Sequence, residues 1–163
     1  MASLFSGVGT VVGITTTTTP PATADAAGYA ALTYVDIGCI ESLGSFGGTA
    51  TITNFTCLND GIVQKIKGSR DNGDLEITVA LDDTTAGWDA FNAAYEAITA
   101  GNYYFRVQYG NAQNATGEGA IRYFGAKVSS VTENVASADD VVTVTLTVAI
   151  TTPIVKVDST AGV

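Results

Sequence analysis

The chain of 163 residues holds only seven Lys and Arg, none before Lys65, yet Lys65, Lys67 and Arg70 fall within six positions. They stand in "GIVQKIKGSRDNGDLEI", residues 61 to 77, beside a turn rich in Gly, Asn and Asp. Clustered cations capture anions, and the candidates are phosphates or carboxylates. Scale decides between them. The chain carries a net charge of −9. Segment 58–73 sets its three cations against Asp60 and Asp71, a local net of +1 that leaves −10 elsewhere. Nucleic-acid binding relies on cations displacing phosphate counterions, so general DNA or RNA binding is excluded. An acid-rich surface of this kind repels DNA.

Other chemistry is sparse. With no His, Ser-His-Asp and Cys-His nucleophile arrangements and His-based metal sites are ruled out. The carboxylate pairs Asp82/Asp83 and Asp139/Asp140 sit at element ends, where turn and capping roles outweigh acid–base catalysis. "GVGTVVG" (Gly7 to Gly13) has the wrong spacing for a dinucleotide loop, and there is no GxxxxGK[ST]. "NFT" and "NAT" match glycosylation sequons, which arise often by chance. Cys39 and Cys57 are too few for a zinc site and read as small, half-buried apolar residues. They form a candidate disulfide only outside a reducing compartment. No enzymatic activity, cofactor or metal is expected.

Alternating and β-branched stretches must position whatever the chain presents. Thr and Val abound, and both suit a pleated surface. "TVVGITT" suggests a short strand. "TTTTTPPATADAAGYAA" (Thr15 to Ala31) reads as an arm or long loop, because Pro20 and Pro21 cannot donate to a ladder. "ALTYVDIG" (Ala31 to Gly38) and "GTATITNFTCL" (Gly48 to Leu58) read as strands. In "GDLEITVALD", Leu75, Ile77 and Val79 share one face and Asp74, Glu76 and Thr78 the other, the period of a half-buried strand. "YYFRVQY" (Tyr103 to Tyr109), "AIRYFGAKVSSV" (Ala120 to Val131) and "DVVTVTLTVAI" (Asp140 to Ile150) continue the series. "PIVKV" closes it as a short strand or arm.

One helix is predicted, at about residues 85–99. Trp88, Phe91, Tyr95 and Ile98 draw an apolar stripe, Thr84 or Thr85 caps the start, and Gly101 ends it. Strands, a helix and strands again make a mainly β fold, a β-sandwich or barrel with one flanking helix and extended N- and C-terminal arms. The length suits a single domain, 1–163, burying roughly 70% of the extended chain's surface. Within it, 1–31 is the N-terminal strand and arm, 58–73 a protruding loop, and 151–163 the C-terminal arm. The N-terminus lacks a positive n-region, and no apolar run approaches about 18 residues, so a soluble, cytoplasmically made product without membrane contact is expected.

The order of these motifs resembles the tail tube proteins of long-tailed bacteriophages over most of the chain. "ATADAAGYAALTYVDIGCIESLGSFGGT" (Ala22 to Thr49) is similar to that family's entry, strand and "GxFG" turn. "VQKIKGSRDNGDLEITVALD" (Val63 to Asp82) is similar to its basic, Gly-containing loop and following strand. The five-Thr run departs from the pattern and leaves the path of the N-terminal arm open. The resemblance implies a structural virion protein forming sixfold rings that stack into a hollow tube, with a sheet-lined, acidic lumen that conducts genomic DNA to the host without reading its sequence. Implied partners are further copies of itself and other tail proteins (baseplate or tip, terminator, tape measure), with assembly in the bacterial cytoplasm.

On that footing the segment 58–73, with Asp60, Lys65, Lys67, Arg70 and Asp71, becomes a loop packing on the next ring. Its cations would meet carboxylates of an adjacent subunit. Asp74 and Glu76 are the candidate lumen acids, with bulk solvent as their other setting. Cys39 and Cys57 could oxidise within or between subunits of a released particle. A second class of function is a surface-displayed sandwich binding carbohydrate or a receptor. In it, Tyr103, Tyr104, Phe105 and Tyr109 would form a stacking platform, unless they form a strand with one buried aromatic face.

Overall fold

A computed structural model describes residues 4–59, 61–98 and 101–162. Its elements, in chain order, are β1 (Val11–Thr15), α1 (Ala26–Ala30), β2 (Tyr34–Asp36), β3 (Ile40–Leu43), β4 (Thr49–Thr56), β5 (Val63–Asp71), β6 (Asp74–Ala80), α2 (Ala86–Glu96), β7 (Tyr103–Gln108), β8 (Ile121–Asn134), β9 (Thr143–Ile150) and β10 (Val155–Val157). Eight strands form one antiparallel sheet in the order β2-β1-β7-β8-β9-β6-β3, and β10 pairs with β8 beside that path. The remaining two, β4 and β5, pair only with each other.

The alternation read in the sequence sets the core. Leu75, Ile77 and Val79 of β6 face inward with Val144, Leu146, Val148 and Ile150 of β9, against Phe105 and Val107 of β7 and Val12 and Ile14 of β1. Phe105 and Phe124 stack with ring centroids 5.6 Å apart, and Phe91 of α2 meets Phe105 edge-on at 6.3 Å. Each of these fully buried side chains contributes roughly 1.5–3 kcal/mol by leaving water. Strand β8 changes parity midway. Phe124 and Ala126 face the core, a bulge at Ser129 adds one residue, and Val131 then takes the inner side. The extra Ser129 hydroxyl donates to the Thr147 carbonyl at 3.0 Å. A bulge of this kind lets one long strand serve both halves of the sheet without exposing its apolar face.

Helix α2 begins where expected, with the Thr85 hydroxyl accepting from Trp88 N–H at 3.3 Å. Its buried face differs from the expected stripe: Gly87, Ala90, Phe91 and Ala94 point inward, while Tyr95 and Ile98 are exposed. At Gly87 the helix packs too closely for any side chain, since a Cβ there would lie 2.0 Å from the Asp36 carbonyl oxygen. A second helix, not expected, lies inside the Pro-punctuated stretch. α1 is capped by Asp25, whose carboxylate accepts from Gly28 N–H at 2.8 Å. It sets Tyr29 against Tyr104 and Tyr123 on the opposite face of the sheet.

The C-terminal segment is held to its own subunit. β10 pairs with the first residues of β8, and Thr160 N–H donates to the Glu118 carbonyl at 2.9 Å. Between β9 and β10 the chain breaks step at Thr151 and Thr152, which lie against Gly125.

Candidate assembly surfaces

The stretch 58–73, expected as a loop, is mostly strand. β5 pairs with β4 over seven register positions, from Thr49↔Asp71 to Thr56↔Val63, and only residues near the tip turn the chain. Gly, Asn, Asp and three cations are poor strand formers, which is why this ladder reads as a loop. Every residue of β5 is exposed, and so is every residue of β4 except the half-buried Ala50. Yet Ile52, Phe55, Leu58, Val63 and Ile66 are all more than half exposed. A two-stranded ribbon in water is marginal, and apolar groups on both its faces await cover.

The three cations share one face of this hairpin. Lys65 opposes Asn54, Lys67 opposes Ile52, and Arg70 opposes Ala50. Alternation alone would send Arg70 to the other side. A register shift between Ala50 and Ile52, with the extra residue at Gly68–Ser69, brings it back. The other face carries Phe55 and Ile66. Of the remaining expected members of this site, Asp71 turns its carboxylate onto Gly73 N–H at 2.9 Å, closing the turn into β6. Asp60 lies outside the described residues.

At the root of the hairpin the basic face looks across a groove of about 1080 Å³. Lys67 and Arg70 line one side, with Arg122 of β8 and Lys156 of β10 on the body, and no Asp or Glu is among the lining residues. Arg122 and Lys156 are direct cross-strand partners, an unfavourable juxtaposition of like charges. Arg122 is fixed there: its guanidinium donates to the Ile121 and Val157 carbonyls, each at 2.8 Å, and lies 5.7 Å from the Tyr109 ring centroid. Among the described residues the one salt bridge is Arg106–Asp36, at 3.7 Å, so the groove's cations have no carboxylate partner. Sequence reading missed Arg122 and Lys156, because only the pairing of β8 with β10 brings them to the hairpin.

Asp74 and Glu76 project from the outer face of β6 and are exposed. Beside them, in register, stand Ala149, Thr147, Thr145 and Thr143 of β9, then Lys127, Ser130, Thr132 and Asn134 of β8. The result is a face of short, mostly uncharged side chains bearing two carboxylates and one cation, Lys127. At the far end of this sheet lie two acidic turns. Asp82 accepts from the Thr84 hydroxyl at 2.6 Å and its N–H at 3.1 Å, and these bonds hold its carboxyl below the usual range. Ser137 donates to Asp140 at 2.6 Å, shaping the turn that bears Asp139 and Asp140.

Cys39 and Cys57 are unpaired in the structure; Cys57 is half-buried as read, whereas Cys39 is exposed. Cys39 lies beside Ala80, and Cys57 follows β4 at the hairpin tip, rooted at the other end of β6. The aromatic platform is likewise absent: Tyr103, Tyr104 and Phe105 are buried, and Tyr109 is half-buried.

The chain is thus a mainly β body with a flanking helix, a solvent-exposed hairpin and a polar sheet face. Residues 5–157 match the family model of the phage tail tube protein, TTP, and the chain belongs to that family. It is thus a structural protein of a tail tube. No curated protein matches. Solved structures share the fold at low identity. A chain of an extracellular contractile injection system (PVC sheath/tube terminator, extended state) has a TM-score of 0.69 at 8% identity, over 96% of this chain and 98% of that one. One from the anti-feeding prophage baseplate, 6-fold symmetrised, has 0.68 at 10%, over 97% and 98%. One from the tail of an empty GTA particle, refined with C6 symmetry, has 0.59 at 13%, over 93% and 97%.

Proposed function

We propose that this chain forms sixfold rings that stack into the tail tube, with the β4–β5 hairpin as the stacking element. The observation that carries this is the hairpin itself, a ladder with large apolar residues on solvated faces and no third layer in its own subunit. Covering those faces with a neighbour removes apolar area from water at roughly 25 cal/mol per Å². Lys65, Lys67 and Arg70 steer the contact, because subunits of net charge −9 otherwise repel. Asp71 serves the turn rather than the contact.

The wall bearing Asp74 and Glu76 is the lumen surface in this reading. Genomic DNA passes it without sequence-specific contact, since two carboxylates and a field of short hydroxyls, with Lys127 as the one cation among them, give a polyanion little to hold. The ends of the tube meet other tail proteins (a baseplate or tip, a terminator and the tape measure), and assembly proceeds in the bacterial cytoplasm. The purified protein should form long, uniform, hollow cylinders in negative stain. Lys65→Glu with Lys67→Glu should leave a folded subunit that no longer polymerises. Normal tubes from that double variant would remove the hairpin's basic face from stacking.

A further inference from the structure

The basic groove and the acidic turns lie at opposite ends of the strands. The groove cations Lys67, Arg70, Arg122 and Lys156 sit at the end of the sheet where β6 starts and β8 begins. Asp82, Asp83, Glu133, Asp139 and Asp140 sit at the other end, where Ala80 opposes Thr143 and Thr143 opposes Asn134. The two acidic turns are tied together there, since Leu81 N–H donates to the Val142 carbonyl at 2.9 Å. The acidic turn is flanked by Val135 and Val141, 71% and 69% exposed. The groove offers Phe46 and Ile154 beside its cations.

We propose that the occupant of the basic groove is the acidic turn around Asp139 and Asp140 of a second copy of this chain, the next along the tube. This rests on the stacking reading and names the partner residues within it. The contact is head-to-tail: a patch at one end of a subunit meets a different patch at the other end of its neighbour. Such an interface repeats without closing on itself and generates an open polymer. It also resolves the opposed Arg122 and Lys156, because the incoming carboxylates neutralise two cations that otherwise repel. Stacking by this route weakens as salt rises, with screening setting in over about 10 Å at 0.1 M.

The test is a charge exchange in the full chain, with folding checked by circular dichroism and assembly by sedimentation and negative stain. Asp139→Lys with Asp140→Lys should cut tube yield at least tenfold, and so should Lys67→Glu with Arg70→Glu. Combining all four substitutions should raise tube yield above either parent though below the unaltered chain, because the exchanged pairs attract again while Arg122 and Lys156 stay in the groove. Should the groove variant block assembly while Asp139→Lys with Asp140→Lys assembles normally, this partner is wrong and hairpin stacking survives. Normal assembly by the groove variant overturns the groove's part in stacking. Failure of the four-fold variant to recover beyond either parent overturns the pairing. A groove that instead captures a short DNA duplex from solution, losing it in the groove variant alone, overturns the proposal in favour of a polyanion site.

Discussion

The ladder between β6 and β9 and the ladder between β4 and β5 are both antiparallel, and each spans seven register pairs. Both draw on Val, Ile and Thr. In the first, Leu75, Ile77, Val79, Val144, Leu146 and Val148 are at most 2% exposed; in the second, Ile52, Phe55 and Ile66 are 51–57% exposed. Backbone hydrogen bonding is therefore not what separates them. The body ladder has a third layer, supplied by the folded-over sheet and α2, and the hairpin has none. A strand pair keeps its shape by packing on something. On the proposed stacking, the hairpin's something is a neighbouring subunit.

If that contrast is right, substitutions should divide cleanly between subunit stability and assembly. Phe105→Ala, in the stacked aromatic centre, should cost about 3–5 kcal/mol in denaturant unfolding and take assembly with it. A loss below about 1 kcal/mol would mean that the body is not the closed layer described. Alkali should also strike the body. Burial, as the leading cause, raises the pKa of Tyr34, Tyr104 and Tyr123 above the ordinary 10.0. These tyrosines stay neutral in the folded chain while the unfolded chain ionises near 10.0. The stability they contribute is full below that pH and is lost as pH rises above it. Unfolding measured against pH should be flat to about pH 9 and fall beyond 10, and Tyr34→Phe should shallow the fall.

Thr85→Ala removes the cap of α2 and should cost about 1 kcal/mol without changing tube length. Phe55→Ser with Ile66→Ser should alter unfolding by less than about 0.5 kcal/mol and still abolish tubes. A cost above about 2 kcal/mol would show the hairpin packed on its own body and erase the contrast. Smallest of all, Asp74→Asn with Glu76→Gln should leave folding and tube yield unchanged and slow only genome delivery, read as infectivity of assembled particles.

How much of this the residues announced depended on burial. β6 and β9 were legible because one face meets the core and the other meets solvent, so the alternation is written plainly. The helix was legible too, but its contact face was misread. Large side chains suggested a stripe through Tyr95 and Ile98, whereas close approach to β2 requires Gly87, and Ala90, Phe91 and Ala94 complete the buried face. α1 was hidden because five residues are too few for a periodic signal. β5 was hidden because a ribbon exposed on both faces has no alternation to display, and its bulge breaks what remains. The basic residues on it were visible, whereas their companions Arg122 and Lys156 needed the sheet to bring them near.

The bulge at Gly68–Ser69 has one more consequence, for how such a tail can change over evolutionary time. Side chains return to the same face of a ribbon only at every second residue, and the bulge already spends the one odd step that aligns Arg70 with Lys67. Lengthening both arms by a single residue between root and tip would turn the tip over. Lengthening them by two would keep its orientation and extend it by about 6.8 Å. The reach of the hairpin is thus quantised: if it joins rings as proposed, lineages that alter its length must do so in even steps, or acquire a second bulge.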